Sequence, residues 1–590
     1  MQQSKHKRER PWLQHYGHIP HTLDYPDISL WEIVEKSANK YTDKIALDYF
    51  GTKVSYSELF VKIEECAKAL KVQGFKQNDT ITVCMPNSIE GIVSIYAINM
   101  IKARADVIHP LTSENEIMAY MINSGSKGII VIDSSLQKAI NLTRKAKELR
   151  DIPIIYVKAN DSMKWKLQKY GYELIYHKKR IVKQSNVISY KKAFLQRANL
   201  YERDKHGDYK IRGKGSDESL IFYSGGSAGN PKPIILTNYN INAFIYQATV
   251  IVADCLVPGD TMLGIIPIFH GFGFAMNIHT AIHLGVTVPL MPKYDRNLLS
   301  KIFTNYKINI IAGVPTLYEK ITHEPLMESV DYSGLKVAIS GGSYLSPTKR
   351  KKFESFLHSH GASSELRIRE GYGGTETVTG TCFGLNHISK EGSIGVPFPD
   401  TDYKIVKPGT QEELPVGEVG ETCVSSPTVM VGYLNNKVET DKALQTHDDG
   451  MKWYHSGDLG FIDNEGFYHL KGREKDIIIT SGYNVEPSSI ENVLDTHDSV
   501  AETVALGVND DVLGEKVVVI VKLKDSGMHN KADELEVLKK ELYDLCKLNV
   551  PKYALPKEIK FRVEFPMTLM SKTDRRKLLE EENADKTRGK

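Results

Sequence analysis

The sequence predicts an α/β protein: a large N-terminal domain of α/β layers with a β-rich subdomain, plus a small hinged C-terminal α+β domain. Three features predict it. Between about Tyr41 and Glu376, short β-branched runs alternate with longer helix-like segments, as in parallel α/β architecture. Beyond Ile388, glycines mark short turns between small strands as far as Leu470. After Lys475 the order becomes strand, helix, strand, strand, helix, strand. A chain of 590 residues also exceeds what one core holds, since domains are typically about 100–200 residues long.

The N-terminal strands are expected at Thr80–Met85, Gly128–Asp133, Pro153–Val157, Ser219–Tyr223, Met262–Pro267, Ile308–Gly313 and Leu335–Ser340. They are apolar throughout rather than alternating, which predicts strands buried on both faces. From Asn160 to Gly215 the chain is lysine-rich with few buried-strand signals. It reads equally as an inserted surface excursion or as a solvated helical face. Gly392, Gly395, Gly417, Gly420 and Gly432 punctuate the meander. Asp463-Asn464-Glu465-Gly466 reads as a hairpin turn without the ligand spacing of a calcium loop. The C-terminal unit includes the strand Val517–Leu523 and the charged helix Asp533–Leu548, and joins the rest through Gly472-Arg473-Glu474-Lys475-Asp476.

Composition narrows the function classes. A hydrophobic fraction of 41% and a charged fraction of 25% are those of a soluble globular protein. A net charge of +3 selects no nucleic acid as partner. Cys66, Cys84, Cys255, Cys382, Cys423 and Cys546 show neither metal-ligand spacing nor a disulfide cluster, which fits the reducing cytoplasm. Lys5, Lys7, Arg8 and Arg10 are followed by Pro11-Trp12-Leu13 rather than by an apolar run, so no signal peptide is read there. Runs such as Ile310–Val314 fall far short of the roughly 20 residues that cross a bilayer. Membrane contact is therefore expected only as a peripheral one, at the inner face.

The strongest local motif is Tyr223-Ser224-Gly225-Gly226-Ser227-Ala228-Gly229-Asn230-Pro231-Lys232, directly after a strand. Its glycines free the backbone to wrap an anion, its serines donate hydrogen bonds, and Lys232 supplies charge. Two residues separate Gly229 from Lys232, so it is not a Walker loop. Gly225-Gly226-Ser227-Ala228-Gly229 also fits the serine-hydrolase elbow. That elbow must run straight into a helix, and Pro231 and Pro233 stand in the way. The phosphate-loop reading is preferred.

Five more islands follow in order: Phe269-His270-Gly271-Phe272-Gly273, Gly371-Tyr372-Gly373-Gly374-Thr375-Glu376, Tyr454-His455-Ser456-Gly457-Asp458, Gly472-Arg473-Glu474-Lys475-Asp476 and Pro566-Met567-Thr568-Leu569-Met570-Ser571-Lys572. With the glycine loop they resemble the core motifs of the adenylate-forming superfamily, which holds acyl-CoA synthetases, luciferases and peptide-synthetase adenylation domains. The Tyr223–Gly226 form of the loop, Pro11-Trp12-Leu13 and the basic stretch before Ser216 look most like bacterial long-chain fatty-acid–CoA ligases.

That resemblance implies an ATP-dependent ligase that activates a long-chain fatty acid as acyl-AMP and transfers it to coenzyme A. The alternatives are the same chemistry on a medium-chain or aryl acid or with a carrier-protein acceptor, or a catalytically impaired acyl- or nucleotide-binding protein. Residues 1–471 would form the adenylation domain, with its β-rich subdomain at about 390–471. Residues 472–476 with Lys475 would be the hinge, and 477–590 the lid. Ser224, Gly225, Gly226, Ser227, Ala228, Gly229 and Lys232 would hold the phosphates. Gly341, Gly342 and Tyr372 would form the adenine slot, with Gly373 and Thr375 also binding ATP or AMP; Asp458 would accept the ribose hydroxyls, and Arg473 would add a ribose or phosphate contact. Glu376, with Ser224, would bind Mg²⁺. Lys572 would bridge carboxylate and α-phosphate, and His270 would stand beside the acyl group. Phe269, Gly271, Gly313 and Gly374 would line the acyl path, and Gly482 would meet the pantetheine arm.

The chain departs from the usual pattern at Ala228, Pro233, Ser571 and Ile479. Ala228 removes a hydroxyl from a charge-stabilising site, a loss that costs up to about 2.7–4 kcal/mol where such donors act on the transition state.

Overall fold

The computed structural model describes residues 10–164, 185–224, 231–252, 255–510, 513–568 and 572–588. Its largest sheet has eight strands in the order Gly432–Tyr433, Pro233–Thr237, Glu218–Tyr223, Arg104–Val107, Thr80–Cys84, Ile129–Ile132, Ile154–Val157 and Val187–Ser189. The strands from Glu218–Tyr223 to Val187–Ser189 run parallel. Pro233–Thr237 returns antiparallel along Glu218–Tyr223, which places both ends of the glycine loop at one end of the sheet.

A second sheet joins Ile310–Gly313, Val337–Gly341 and Ile368–Tyr372 in parallel, then Cys382–Phe383 and Val396–Pro397 antiparallel. Helix Ile89–Met100 and the π-helical Phe272–Thr280 bury almost every side chain, and Asn238–Val252 buries most of its own. The principal core therefore runs continuously through both sheets. It explains why these strands read as unbroken apolar runs: neither face meets water.

Beyond this lies an antiparallel meander of Asp402–Val406, Gly420–Ser425, Lys452–Ile462, Leu444–Thr446 and Tyr468–Arg473. The short helix Lys437–Ala443 interrupts it. The C-terminal domain has its own sheet of Tyr483–Val485, Ile478–Thr480, Gly514–Leu523, Val500–Asp510 and Glu558–Arg562. Its own core includes Val519, Leu538 and Leu542.

Two segments differ from the sequence reading. Met262–Pro267 forms no ladder; Met262 bridges Ile310 while Thr261 and Gly264 bridge Thr287 and Leu290. Ile265 also turns its N–H back to the Leu263 carbonyl at 3.1 Å, so pairing is split between two neighbours. Within 160–215, residues 165–184 lie outside the described residues. The described part supplies the edge strand Val187–Ser189 and buries Tyr190 and Phe194 in the main core. Leu195–Leu200 and Arg203–His206 beyond them bury no side chain, so the described part is an edge of the core followed by solvated surface. Among the described residues no helix is long and apolar enough to cross a membrane.

Candidate active site

Three structural units meet around the Asp458 carboxylate. Asp458 lies in Lys452–Ile462, in register with Arg473 of the adjacent strand. The Tyr372 hydroxyl, at the end of its own strand, donates to Asp458 Oδ2 at 2.7 Å. Arg473 Nε lies 3.2 Å from Oδ1. Burial raises the Asp458 pKa, while Arg473, the Tyr372 hydroxyl and Lys572 oppose the rise. The carboxylate therefore sits where removing a donor is costly.

A row of hydrogen bonds braces the turn before it. Lys404 Nζ donates to His447 Nδ1 (3.3 Å), and His447 Nε2 meets His455 Nε2 (2.9 Å). His455 Nδ1 then reaches Glu421 Oε2 (3.0 Å), whose other oxygen accepts the Gly457 N–H (3.1 Å). One consistent set of tautomers gives every ring nitrogen a partner. Cys423 Sγ stands 3.4 Å from His455. Sequence spacing gave no sign of this cluster of Cys423, His447 and His455.

Lys572 enters from the C-terminal domain. Thr568 N–H donates to the Lys572 carbonyl at 2.7 Å, and Thr568 Oγ1 accepts the Lys572 N–H at 3.2 Å. Residues 569–571, Ser571 included, lie outside the described residues. Protein surrounds much of the side chain, although the open cleft keeps it in contact with solvent. Desolvation, then the charge of Arg473, pushes its pKa down to about 8, with Asp458 opposing. Nearby His270 is pushed down to about 3 by desolvation, His109 and Lys572. It is therefore a neutral imidazole at physiological pH.

From His270, Lys572, Gly341 and Gly342 the cleft runs inward between Phe244, Ala248, Ile251 and Val252 of one helix and Met276, Phe383 and Phe398 opposite. Beyond its polar mouth this wall is hydrocarbon. Gly271, Tyr372, Gly373, Gly374 and Thr375 also line it. Gly271 and Gly373 grip one turn: a Cβ on Gly271 would lie 1.8 Å from the Val378 carbonyl oxygen, and one on Gly373 1.9 Å from that of Thr379. Val378 itself is held at φ 66°, a strained conformation for a β-branched residue.

At the glycine loop, Ser224 N–H donates to the Lys232 carbonyl and Lys232 N–H to Ser224 Oγ, both at 3.0 Å. The loop is closed at its base; Gly225, Gly226, Ser227, Ala228 and Gly229 lie outside the described residues. Lys232 Nζ pairs with Glu439 at 2.5 Å and lies 4.8 Å from the centre of the Tyr433 ring. The Tyr433 hydroxyl donates to Glu376 Oε1 at 3.1 Å. Burial raises the pKa of Glu376, with this hydrogen bond opposing.

Of the anticipated residues that are described, Ser224, Lys232, Glu376, Asp458 and Arg473 are not part of the cleft wall itself, and neither are Phe269, Gly313, Lys475 and Gly482. Phe269 packs behind it against His109, with ring centres 4.2 Å apart. Gly313 packs on Leu317 while its neighbour Val314 takes the wall. Lys475 occupies the turn Glu474–Asp476. Gly482 stands at a tight turn of the C-terminal sheet, at φ +80° with open space around it.

Comparison with known proteins agrees with this geometry. Residues 34–434 match the AMP-binding enzyme model, and residues 489–572 match that of the AMP-binding enzyme C-terminal domain. The chain belongs to the AMP-binding enzyme family. A long-chain-fatty-acid–CoA ligase of Bacillus subtilis (strain 168) is 31% identical, covering 97% of this chain and 98% of the relative. The Photinus pyralis luciferin 4-monooxygenase is 28% identical, covering 90% of each. Among solved structures, ATP-bound MatB from Rhodopseudomonas palustris has a TM-score of 0.78 at 21% identity, covering 94% of this chain and 99% of its own. The O-succinylbenzoate coenzyme A synthetase of Bacillus subtilis, with ATP and magnesium, has a TM-score of 0.73 at 22%, covering 94% and 100%. These structures share the fold, and the relatives place this AMP-binding enzyme among acid–CoA ligases.

Sequence reading passed over Tyr433 and Glu439 in this AMP-binding enzyme. Glu439 stands 207 residues from Lys232 and Tyr433 57 from Glu376, and neither belongs to a motif. The cleft helix was legible as an apolar face, with Phe244, Ala248, Ile251 and Val252 at helical spacing, but nothing in that spacing marked it as a wall of the site. The glycine grip gives a direct test. Gly373→Ala must displace the turn at Thr379. ATP-dependent pyrophosphate release should then fall by an order of magnitude or more, roughly the cost of misplacing site groups by about 1 Å. Gly374→Ala, whose added methyl meets only the Glu376 side chain at 3.1 Å, should lose far less. Equal activity in the Gly373 variant and the parent would contradict the grip.

Proposed function

We propose that this enzyme activates a long-chain fatty acid with ATP and transfers it to coenzyme A. The observation that carries the proposal is the hydrocarbon cleft opening beside Lys572 and Asp458. In the first step a carboxylate oxygen of the acid bonds to the α-phosphorus of ATP, and the bond to pyrophosphate breaks. In the second, the sulfur of coenzyme A bonds to the acyl carbonyl carbon, and AMP leaves.

Both partners of the first step are anions, so the site must hold positive charge where they meet. Lys572 would supply it, bridging carboxylate and α-phosphate, while neutral His270 beside it would not compete for the carboxylate. Asp458 would accept the ribose hydroxyls, with Arg473 alongside. Gly341, Gly342, Tyr372, Gly373 and Thr375 would frame the base. Ser224, the loop amides and Lys232 would take the outer phosphates once Lys232 exchanges Glu439 for them. Glu376 suits Mg²⁺: it offers hard carboxylate oxygens, and among the described residues it forms no ion pair. Glu376 with Ser224 would hold the ion, which when bound supplies charge neutralisation at the phosphates.

The second step needs other groups at the same carbonyl. Residues 477–590 would swing about 472–476, at Lys475, withdrawing Lys572 and bringing the Gly482 turn toward the pantetheine arm. Gly472, at φ +139° with open space around it, suits such a pivot.

Lys572→Ala should therefore nearly abolish pyrophosphate release yet spare thioester formation from supplied acyl-AMP. In the parent, kcat/KM for ATP should fall as pH rises through about 8, where Lys572 loses its proton, and Lys572→Arg should remove that limb. Loss of both half-reactions together would remove Lys572 from the first.

Chain-length dependence tests the substrate. Each buried methylene adds about 0.8 kcal/mol, so kcat/KM should climb with acid length until the cleft is filled, leaving acetate and benzoate hardly used. A maximum on a short or aryl acid would refute the long-chain reading and leave the adenylation chemistry standing.

A further inference from the structure

Away from the cleft, the C-terminal domain meets the rest of the chain through two charges that neither of their own helices favours. Lys349 lies in the first turn of helix Pro347–Ser359, where the N-cap Ser346 hydroxyl accepts its N–H at 3.3 Å. Asp495 caps the C-terminal end of helix Pro487–Leu494. A helix dipole favours an anion in its first turn and a cation in its last, so each side chain stands at the wrong end of its own helix. Against one another they are complementary. Lys349 Nζ lies 3.1 Å from Asp495 Oδ2, with the side chains only 23% and 13% exposed.

Lys349 acts on more than that one partner. Desolvation works to lower its pKa, but Asp495, Glu319 of its own domain and Glu502 of the C-terminal domain outweigh it and leave the value raised. Glu502 Oε1 in turn accepts the Thr573 hydroxyl at 2.5 Å, and Thr573 follows Lys572 in the chain. One cation of the large domain therefore faces two carboxylates of the small one, and the second of these holds the residue next to the lysine that enters the cleft. The loop leading into the helix of Lys349 meets that lysine directly: Gly342 lines the cleft, and a Cβ on it would lie 3.9 Å from Lys572 Cε.

The place of the pair decides what a rotation would do to it. At the other end of helix Pro487–Leu494 the Ser488 hydroxyl donates to the Lys471 carbonyl at 3.1 Å, beside the 472–476 segment. A contact next to a pivot survives rotation. One that stands a helix length away, about 12 Å for 8 residues, does not.

We propose that Lys349 and Asp495 form the latch that holds the C-terminal domain docked with Lys572 in the cleft, and that this latch opens between the two half-reactions. This rests on the two-step reading above and gives its first step two positioning residues, neither of which touches substrate. Docking pairs two charges that each oppose a helix dipole, and undocking leaves both opposed. The pair thus biases the domain toward the position that adenylation needs. Thioester formation, which needs the domain elsewhere, gains nothing from it.

The test measures the half-reactions separately in the full chain: pyrophosphate release from acid and ATP, and thioester formation from supplied acyl-AMP and coenzyme A. The parent is compared with Lys349→Met, Asp495→Asn and the double variant. Pyrophosphate release should fall by roughly fivefold or more in either single variant, between the effects of an exposed and a buried ion pair, while thioester formation is unchanged or faster. The double variant should lose no more than the weaker of the two single ones, since both changes remove the same contact. Lys349→Arg keeps the charge and should restore most of the first rate. Equal loss of both half-reactions, additive losses in the double variant, or a first half-reaction untouched by either change would overturn the latch. Each of those outcomes leaves the parent's chemistry standing; a parent that releases no pyrophosphate with any acid would sink the two-step reading and the latch with it.

Discussion

The carboxylate of Asp458 is the group on which the site is built. It stands at a junction of three chain segments, and each contributes one charge or dipole to it. Tyr372 comes from the parallel sheet, Arg473 from the strand that leads to the C-terminal domain, and Lys572 from that domain itself. Arg473 and Lys572 face Asp458 there, and Asp476 adds a second negative charge beside Arg473. Asp458 opposes but does not offset the desolvation that depresses the Lys572 pKa. An incoming phosphate would relieve that depression, so occupancy of the cleft and docking of the C-terminal domain are coupled by simple electrostatics.

The same logic governs the loop. Lys232 is not a free cation awaiting phosphate; Glu439 holds it, and that bond pulls the Glu439 pKa down to about 2. A ligand that takes Lys232 must offer more than one carboxylate does, which a polyphosphate can. Tyr433 sits between the two acidic groups, its ring under Lys232 and its hydroxyl on Glu376, so a shift at either is felt at the other. Positioning here depends on backbone as much as on charge. The paired glycines at 271 and 373 let two segments close on one strained turn, and the row from Lys404 to Glu421 fixes the turn at Gly457 before Asp458.

Much of this was legible in the sequence, for physical reasons that differ by element. Strands buried on both faces declare themselves by uninterrupted apolar residues, and Ile129–Ile132 and Ile310–Gly313 were found that way. Arg104–Val107 was not, because Asp106 interrupts it. That buried carboxylate is satisfied by the hydroxyls of Thr82, Ser124 and Tyr223, partners no local pattern reveals. Asp458, Tyr372, His270 and Lys572 were legible through the order of their motifs, and the fold brings them to one cleft. Glu439 and Tyr433 were not, since each acquires its meaning only from a group distant in the chain.

The hydrocarbon wall of the cleft limits how sharply the site would select among acids. A purely apolar pocket discriminates weakly, because one methylene more or less changes the free energy by about 0.8 kcal/mol. It rewards added length until the wall ends.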